Sequence, residues 1–185
     1  RSSGCSPSFC QWRRPCAIQR DAGTGNQSPP TSNDLPEAAR HCGTLVELRH
    51  ADCASIPLAD ASVDVVFCHQ TFHHLVEQER ALAEFHRVLK PGGVLLFAES
   101  TDAYIKSWVI RLLFRHPMQV QKSADGYLAM LRETGFAFDA RNVSFPYLWW
   151  SRAKDFGLLE RIGLHSPKPG KRRETLVNVA ARKPA

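Results

Sequence analysis

Apolar positions along this chain fall into two regimes that meet near Pro36. From Val63 to Cys68 the run VDVVFC is rich in β-branched residues and reads as a buried strand. From Glu77 to Leu89 the apolar residues Ala81, Leu82, Phe85, Val88 and Leu89 recur at helical spacing. Lys90-Pro91-Gly92-Gly93 then stops the helix, because proline cannot continue it and glycine supplies a positive φ. Val94 to Ala98 is a second fully apolar strand. Strand, helix and strand with short connections predict a right-handed parallel βαβ crossover covered on both faces.

The flanking segments are weaker. PEAARHCG, starting at Pro36, predicts a short helix capped by Asn33 or Asp34 and stopped at Gly43. Leu45 to Arg49 alternates and predicts a short strand, followed by the loop ADCASIPLADAS. Tyr104 to Phe114 predicts an amphipathic helix. Ser123 is placed to cap a further helix over Ala124–Thr134, closed by Gly135. Two strands, Phe138–Trp149 and Thr175–Ala181, are expected to form a terminal hairpin around a short helix at Ala153–Ile162. Ahead of Pro36 periodicity fades: RSSGCSPS and GTGNQSPPTSND are dominated by Ser, Pro, Gly, Asn and Gln. Such a stretch buries too little apolar area to offset its ordering entropy, so residues 1–35 are expected to be disordered or degraded and residues 36–185 to carry the domain.

Composition narrows the function classes. At 43% apolar and 23% charged residues, the chain has the balance of a soluble globular protein. No apolar run approaches the roughly 20 residues of a membrane span, so no membrane partner is expected. The net charge of +6 is concentrated in two places, Arg1 to Arg20 and Lys168 to Arg173. No aromatic interleaves these basic residues as a base-stacking surface requires, so a nucleic-acid partner is not expected and a solvated tail and loop are. The six cysteines form no C-x-x-C pair, which argues against a zinc knuckle. Cys53 and Cys68 lie in apolar segments and read as small hydrophobes, and a cytoplasmic setting is expected. The start at Arg1 rather than Met is read as that of a fragment, a processed form or an incomplete gene model.

Three ordered runs carry a family resemblance. His50 to Val66, HADCASIPLADASVDVV, is similar to the G-D-A-x-x-L-P-F-x-D-x-S-F-D-x-V signature of small-molecule class I S-adenosylmethionine-dependent methyltransferases, the methyltransferase type 11 group. Phe72-His73-His74-Leu75 resembles the L-H-H that follows it, and Arg87 to Leu95 resembles R-V-L-K-P-G-G-x-L. One such match is weak; three in order at the family's spacing are specific. The resemblance is sharp from Val46 to Glu99 and looser to the C-terminus.

The resemblance implies a Rossmann-like α/β sheet with a terminal antiparallel hairpin, truncated at its N-terminal strands. It also implies transfer of a methyl group from S-adenosyl-L-methionine to a small molecule by direct displacement, with no metal. In open α/β sheets ligands sit beyond the carboxyl ends of the strands. Asp52 matches the carboxylate that accepts from the adenine amine, Cys53 offers backbone beside the ring, and His69 matches the residue contacting the methionine part. The alternative for Asp52 is a turn or cap acid. Asp64 falls at the entry end of its strand and is expected to be structural. His73 and His74 are open to two readings, general base or packed imidazole at a helix start. Glu99 and Ser100 end their strand at the crevice and are candidates to line the acceptor pocket. Tyr104, Trp108, Phe114, Phe145, Tyr147, Trp149 and Trp150 are candidates either to wall it or to fill the core.

One part of the family pattern is imperfect. The family opens with a buried strand, an acidic glycine-rich loop, a helix and a second strand ending in a ribose-binding acid. Asp21-Ala22-Gly23-Thr24-Gly25-Asn26 only partly resembles that loop. Asp34 follows it too closely for the roughly 15 residues a helix and strand need. With no strand expected before it, Val46–Arg49 is predicted to lack a partner and the last four strands to be best formed. The rival function is a non-catalytic remnant acting at most as an interaction module.

Overall fold

A computed structural model describes residues 9–12, 16–19, 47–113, 117–146, 162–164 and 173–185. The predicted crossover is its centre. Strand β4 (Val63–His69) pairs in parallel with β5 (Leu89–Ser100), and helix α1 (Gln78–Val88) connects them. The helix lays Ala81, Leu82, Phe85 and Val88 on the sheet, all buried. Full burial of each large side chain contributes about 1.5–3 kcal/mol.

The Lys90–Gly93 turn is absorbed into β5. Val63 pairs with Leu89, but Val65 pairs with Val94, so a single residue of β4 spans Lys90, Pro91, Gly92 and Gly93. Gly92 has φ +76°, the positive value the turn requires.

On the far side of β5, β7 (Leu176–Arg182) runs antiparallel, and β6 (Val143–Ser144) pairs with β7 at the sheet edge. The terminal antiparallel hairpin is therefore present, but β6 is shorter than the Phe138–Trp149 strand expected. Asp139 accepts from the Arg141 N–H while Asn142 accepts from the Asp139 N–H, a capping box that winds Ala140–Asn142 into a helical turn ahead of the strand. Residues 147–149 and, of the helix expected over Ala153–Ile162, residues 153–161 lie outside the described residues, as does the helix expected at Pro36.

On the near side the expectation for Leu45 to Arg49 is corrected. Strand β3 (Glu47–His50) is not left without a partner. It pairs in parallel with β2 (Cys16–Gln19), which pairs antiparallel with β1 (Phe9–Trp12), and β1 pairs antiparallel with β4. Among the described residues the sheet has seven strands in the order β3-β2-β1-β4-β5-β7-β6, with β1 to β3 only four residues each. Strand propensity in Cys16–Gln19 is modest; pairing on both sides supplies what the sequence does not.

The helix expected over Tyr104–Phe114 is broken in two, α2 (Asp102–Ile105) and α3 (Trp108–Leu113). Ser107 restarts it: its carbonyl accepts the first helical bond, from Arg111 N. Helix α4 (Ala124–Glu133) begins as predicted, with the Ser123 side chain accepting from Gly126 N, and Gly135 follows it at φ +97°. Tyr127 from α4 meets Phe72 and Phe97 edge-on at centroid distances of 6.0 and 5.6 Å, closing the core on one face of the sheet.

Candidate functional site

Strands β2, β3, β4 and β5 run in one direction, so Gln19, His50, His69 and Ser100 end on a common edge. That edge is where an α/β sheet of this kind holds ligands. Each sequence-derived candidate can be placed against it.

Asp52 lies two residues beyond β3, and its side chain is exposed. Its Oδ1 accepts from Ala54 N at 2.8 Å, and its carbonyl accepts from Ser55 N at 3.0 Å. The turn-acid reading and the ligand reading are thus compatible: one carboxylate oxygen shapes the turn on a residue that faces solvent. Cys53 is buried. His69 ends β4 exposed, its ring stacked on Phe67 at 5.8 Å with 7° between the planes. The chain then turns sharply. Gln70 has φ +52°, a left-handed value that costs a non-glycine residue on the order of 1 kcal/mol. The Ser100 hydroxyl donates to Gln70 Oε1 at 2.5 Å, and Gln70 N donates to Ala98 O, so the end of β5 fixes that turn.

Glu99 and Ser100 are buried. Glu99 has no exposed surface, and both its oxygens are engaged. Oε1 accepts from the backbone N–H groups of Thr71 and Phe72, each at 2.8 Å, with the Cys68 thiol at 3.6 Å. Oε2 meets Nδ1 of His73 at 2.7 Å. The carboxylate therefore ties the segment after β4 to the end of β5. His73 is itself buried, its carbonyl accepting from Gln121 Nε2 at 2.7 Å, and it packs on His74 at 4.1 Å between centroids. The packed-imidazole reading of His73 is the one its surroundings fit. Burial pushes the Tyr127 hydroxyl pKa up, and the negative charge of Glu99 adds to the effect.

Asp64 stands at the other end of β4, where it pairs with Lys90 at 3.0 Å, a structural contact as its position suggested. Tyr104 is half-buried, Phe145 is exposed, and Phe114, Tyr147, Trp149 and Trp150 lie outside the described residues.

Sequence reasoning passed over a cluster beneath the Asp52 loop. Arg87 in the last turn of α1 donates through Nε to Glu84 Oε1, through Nη1 to Leu58 O and Asp60 Oδ1, and through Nη2 to Ile56 O and Glu84 Oε2, at 2.6 to 2.9 Å. Glu84 also accepts from Ile56 N at 2.8 Å. The guanidinium holds the Glu84 carboxyl below the usual carboxylate range, and Glu84 in turn raises the Arg87 pKa. The i,i+3 spacing of Glu84 and Arg87 is the signal that could have found the pair.

Comparison with known proteins agrees with this architecture. Residues 24–97 match the model of a methyltransferase domain family, a match that begins ahead of Pro36. A Mycolicibacterium smegmatis protein named as an S-adenosylmethionine-dependent methyltransferase is 51% identical over 51 residues, 28% of this chain and 20% of that protein. A malonyl-[acyl-carrier protein] O-methyltransferase of Coxiella burnetii is 48% identical over 97 residues, 50% of this chain and 34% of the relative. The chain thus spans about a third or less of the length of these curated relatives. The crystal structure of an S-adenosylmethionine dependent methyltransferase from Mesorhizobium loti superposes with a TM-score of 0.55 at 19% identity, over 82% of this chain and 76% of that one.

Residues 24–97 are thus similar to a methyltransferase domain, and the sheet has the fold of solved S-adenosylmethionine-dependent methyltransferases. S-adenosyl-L-methionine is the cofactor of that family.

Proposed function

We propose that this chain binds S-adenosyl-L-methionine at the common strand edge and serves transfer of its methyl group to a small-molecule acceptor. The observation that carries this reading is the position of two exposed side chains. Asp52 follows β3 and His69 ends the parallel strand β4, at one end of the sheet and within the residues similar to a methyltransferase domain. The donor set fits the cofactor. Asp52 presents a carboxylate to accept from the adenine amine, the turn at Cys53 presents backbone to the ring, and His69 stands where the methionine part would lie. The bound cofactor supplies an electrophilic methyl group on a sulfonium. The protein's part is to position it and exclude water, which can account for most of a displacement's acceleration. His73, buried against Glu99, acts in this reading by holding the segment after β4.

Titration of the purified chain with S-adenosylhomocysteine by calorimetry tests the proposal. A saturable signal that Asp52→Ala abolishes is expected. No heat at millimolar ligand would sink the reading and leave the non-catalytic remnant as the account of this chain.

A further inference from the structure

We propose that Arg87 is a positioning residue for cofactor binding: with Glu84 it holds the 52–62 loop in the shape that presents Asp52 and Cys53. The inference rests on the reading of that loop as the adenine side of the cofactor site, and it adds a device that lies outside the site itself.

The argument is one of donor accounting. A guanidinium has five N–H donors in a fixed planar fork. All five are used here, two on Glu84, two on the loop carbonyls of Ile56 and Leu58, and one on Asp60. Glu84 does double duty, because the oxygen that accepts from Nη2 also accepts from Ile56 N. Residue 56 is thus gripped at both its N–H and its carbonyl. The loop's far end is tied to the same helix end: Ala61 N donates to Arg87 O and Ser62 N to Val88 O. Between these ties, among the described residues, the loop's one backbone bridge is the local one between Asp52 and Ser55.

The apolar anchors lie just beside the grip. Cys53, Ala54 and Ile56 are buried while Asp52 and Ser55 point out, so a shift of the loop at Ile56 is passed directly to the Asp52 turn. Lysine cannot replace the arginine. An ammonium is a point charge with three donors and cannot reach two carbonyls and two carboxylates in one plane. Arg87 touches no ligand in this arrangement; it acts by fixing groups that do.

Wild type, Arg87→Lys, Glu84→Gln, Asp52→Ala and the core control Val88→Ala should be titrated with S-adenosylhomocysteine at a temperature where each is folded by circular dichroism. Amide hydrogen exchange should be followed over residues 53–62. Arg87→Lys is expected to weaken binding on the order of tenfold or more and to speed exchange across the loop. Glu84→Gln should move both in the same direction and carries the test if Arg87→Lys does not fold. Val88→Ala should lose stability yet keep its affinity. Arg87→Lys and Glu84→Gln binding as tightly as wild type, or Val88→Ala losing as much affinity, overturns the inference. Failure of the wild type to bind overturns this inference together with the proposed function. Unchanged affinity in Asp52→Ala alongside weakened Arg87→Lys removes Asp52 from the site and leaves the clamp standing.

Discussion

Glu99 and His73 meet at 2.7 Å inside the core, at the point where β5 ends and the segment after β4 turns back over the sheet. The other oxygen of the same carboxylate accepts two backbone N–H groups, and with Glu99 ionised it is Nδ1 of His73 that donates to Oε2. One side chain therefore sets a turn, a tautomer and the exit of a strand.

Removing that carboxylate orphans buried donors. Glu99→Ala is expected to lower stability by about 3–5 kcal/mol, since the Thr71 and Phe72 N–H groups lose their acceptor. Glu99→Gln keeps an oxygen for both N–H groups but turns an NH₂ toward His73, which forces the ring to accept at Nδ1. Denaturant unfolding measures the first effect. The ¹⁵N shifts of the His73 ring measure the second, and an unchanged tautomer in Glu99→Gln contradicts the assigned roles.

Acid should weaken the grip on the 52–62 loop. The Glu84 carboxyl is held below its ordinary value, chiefly by its hydrogen bonds to Arg87. A depressed carboxyl stabilises the fold fully above its unfolded pKa, about 4.3, and that contribution is lost as pH falls through the lower folded value. Unfolding free energies measured from pH 6 down to about pH 3 should fall more steeply in wild type than in Glu84→Gln. Parallel curves would contradict the assignment.

His86 gives a pH effect at a different place. Burial, and then the charge of Lys183, depress its pKa below about 6.5. The unfolded chain binds the proton more readily, so stability declines as pH drops from that unfolded value through the folded one. Lys183 also donates to the carbonyls of His86 and Leu89, each at 2.8 Å, and so caps the end of α1. Lys183→Met should raise the His86 pKa in NMR titration while costing about 1–3 kcal/mol. A cost without a pKa rise would separate the two roles.

The two glycines of the β5 turn should differ. A Cβ on Gly93 would stand 2.8 Å from Lys90 O and 3.1 Å from Asp64 O, both backbone, so the strand must move. Gly92 has open space and only its φ of +76° to defend. Gly92→Ala should cost about 1–2 kcal/mol and Gly93→Ala more, as read by thermal unfolding. The reverse order would mean the turn repacks around the methyl group.

Much of this was legible in the chain. The β4–α1–β5 crossover and the Ser123 cap follow from periodicity and capping chemistry alone. Glu99 ends its strand at the crevice, yet it shares the parity of Leu95 and Phe97 and so faces the core with them. Strands β1 and β2 left little signal, since four residues beside Pro15 become strands only by pairing with neighbours. The Arg87 clamp joins a helix to a loop, and no local pattern encodes a contact made across nearly thirty residues.

The position of β1 bears on the order in which the sheet is assembled. The β4–α1–β5 unit joins neighbours in sequence, and β1 and β2 form a short hairpin; each can close cheaply. Joining them through β1 and β4 brings Trp12 beside Val66, a distant closure whose entropy is recovered only once the hairpin docks. Among the described residues two local units are thus joined by a distant closure that runs through the middle of the sheet, as the β5–β7 pairing is a distant closure on its far side.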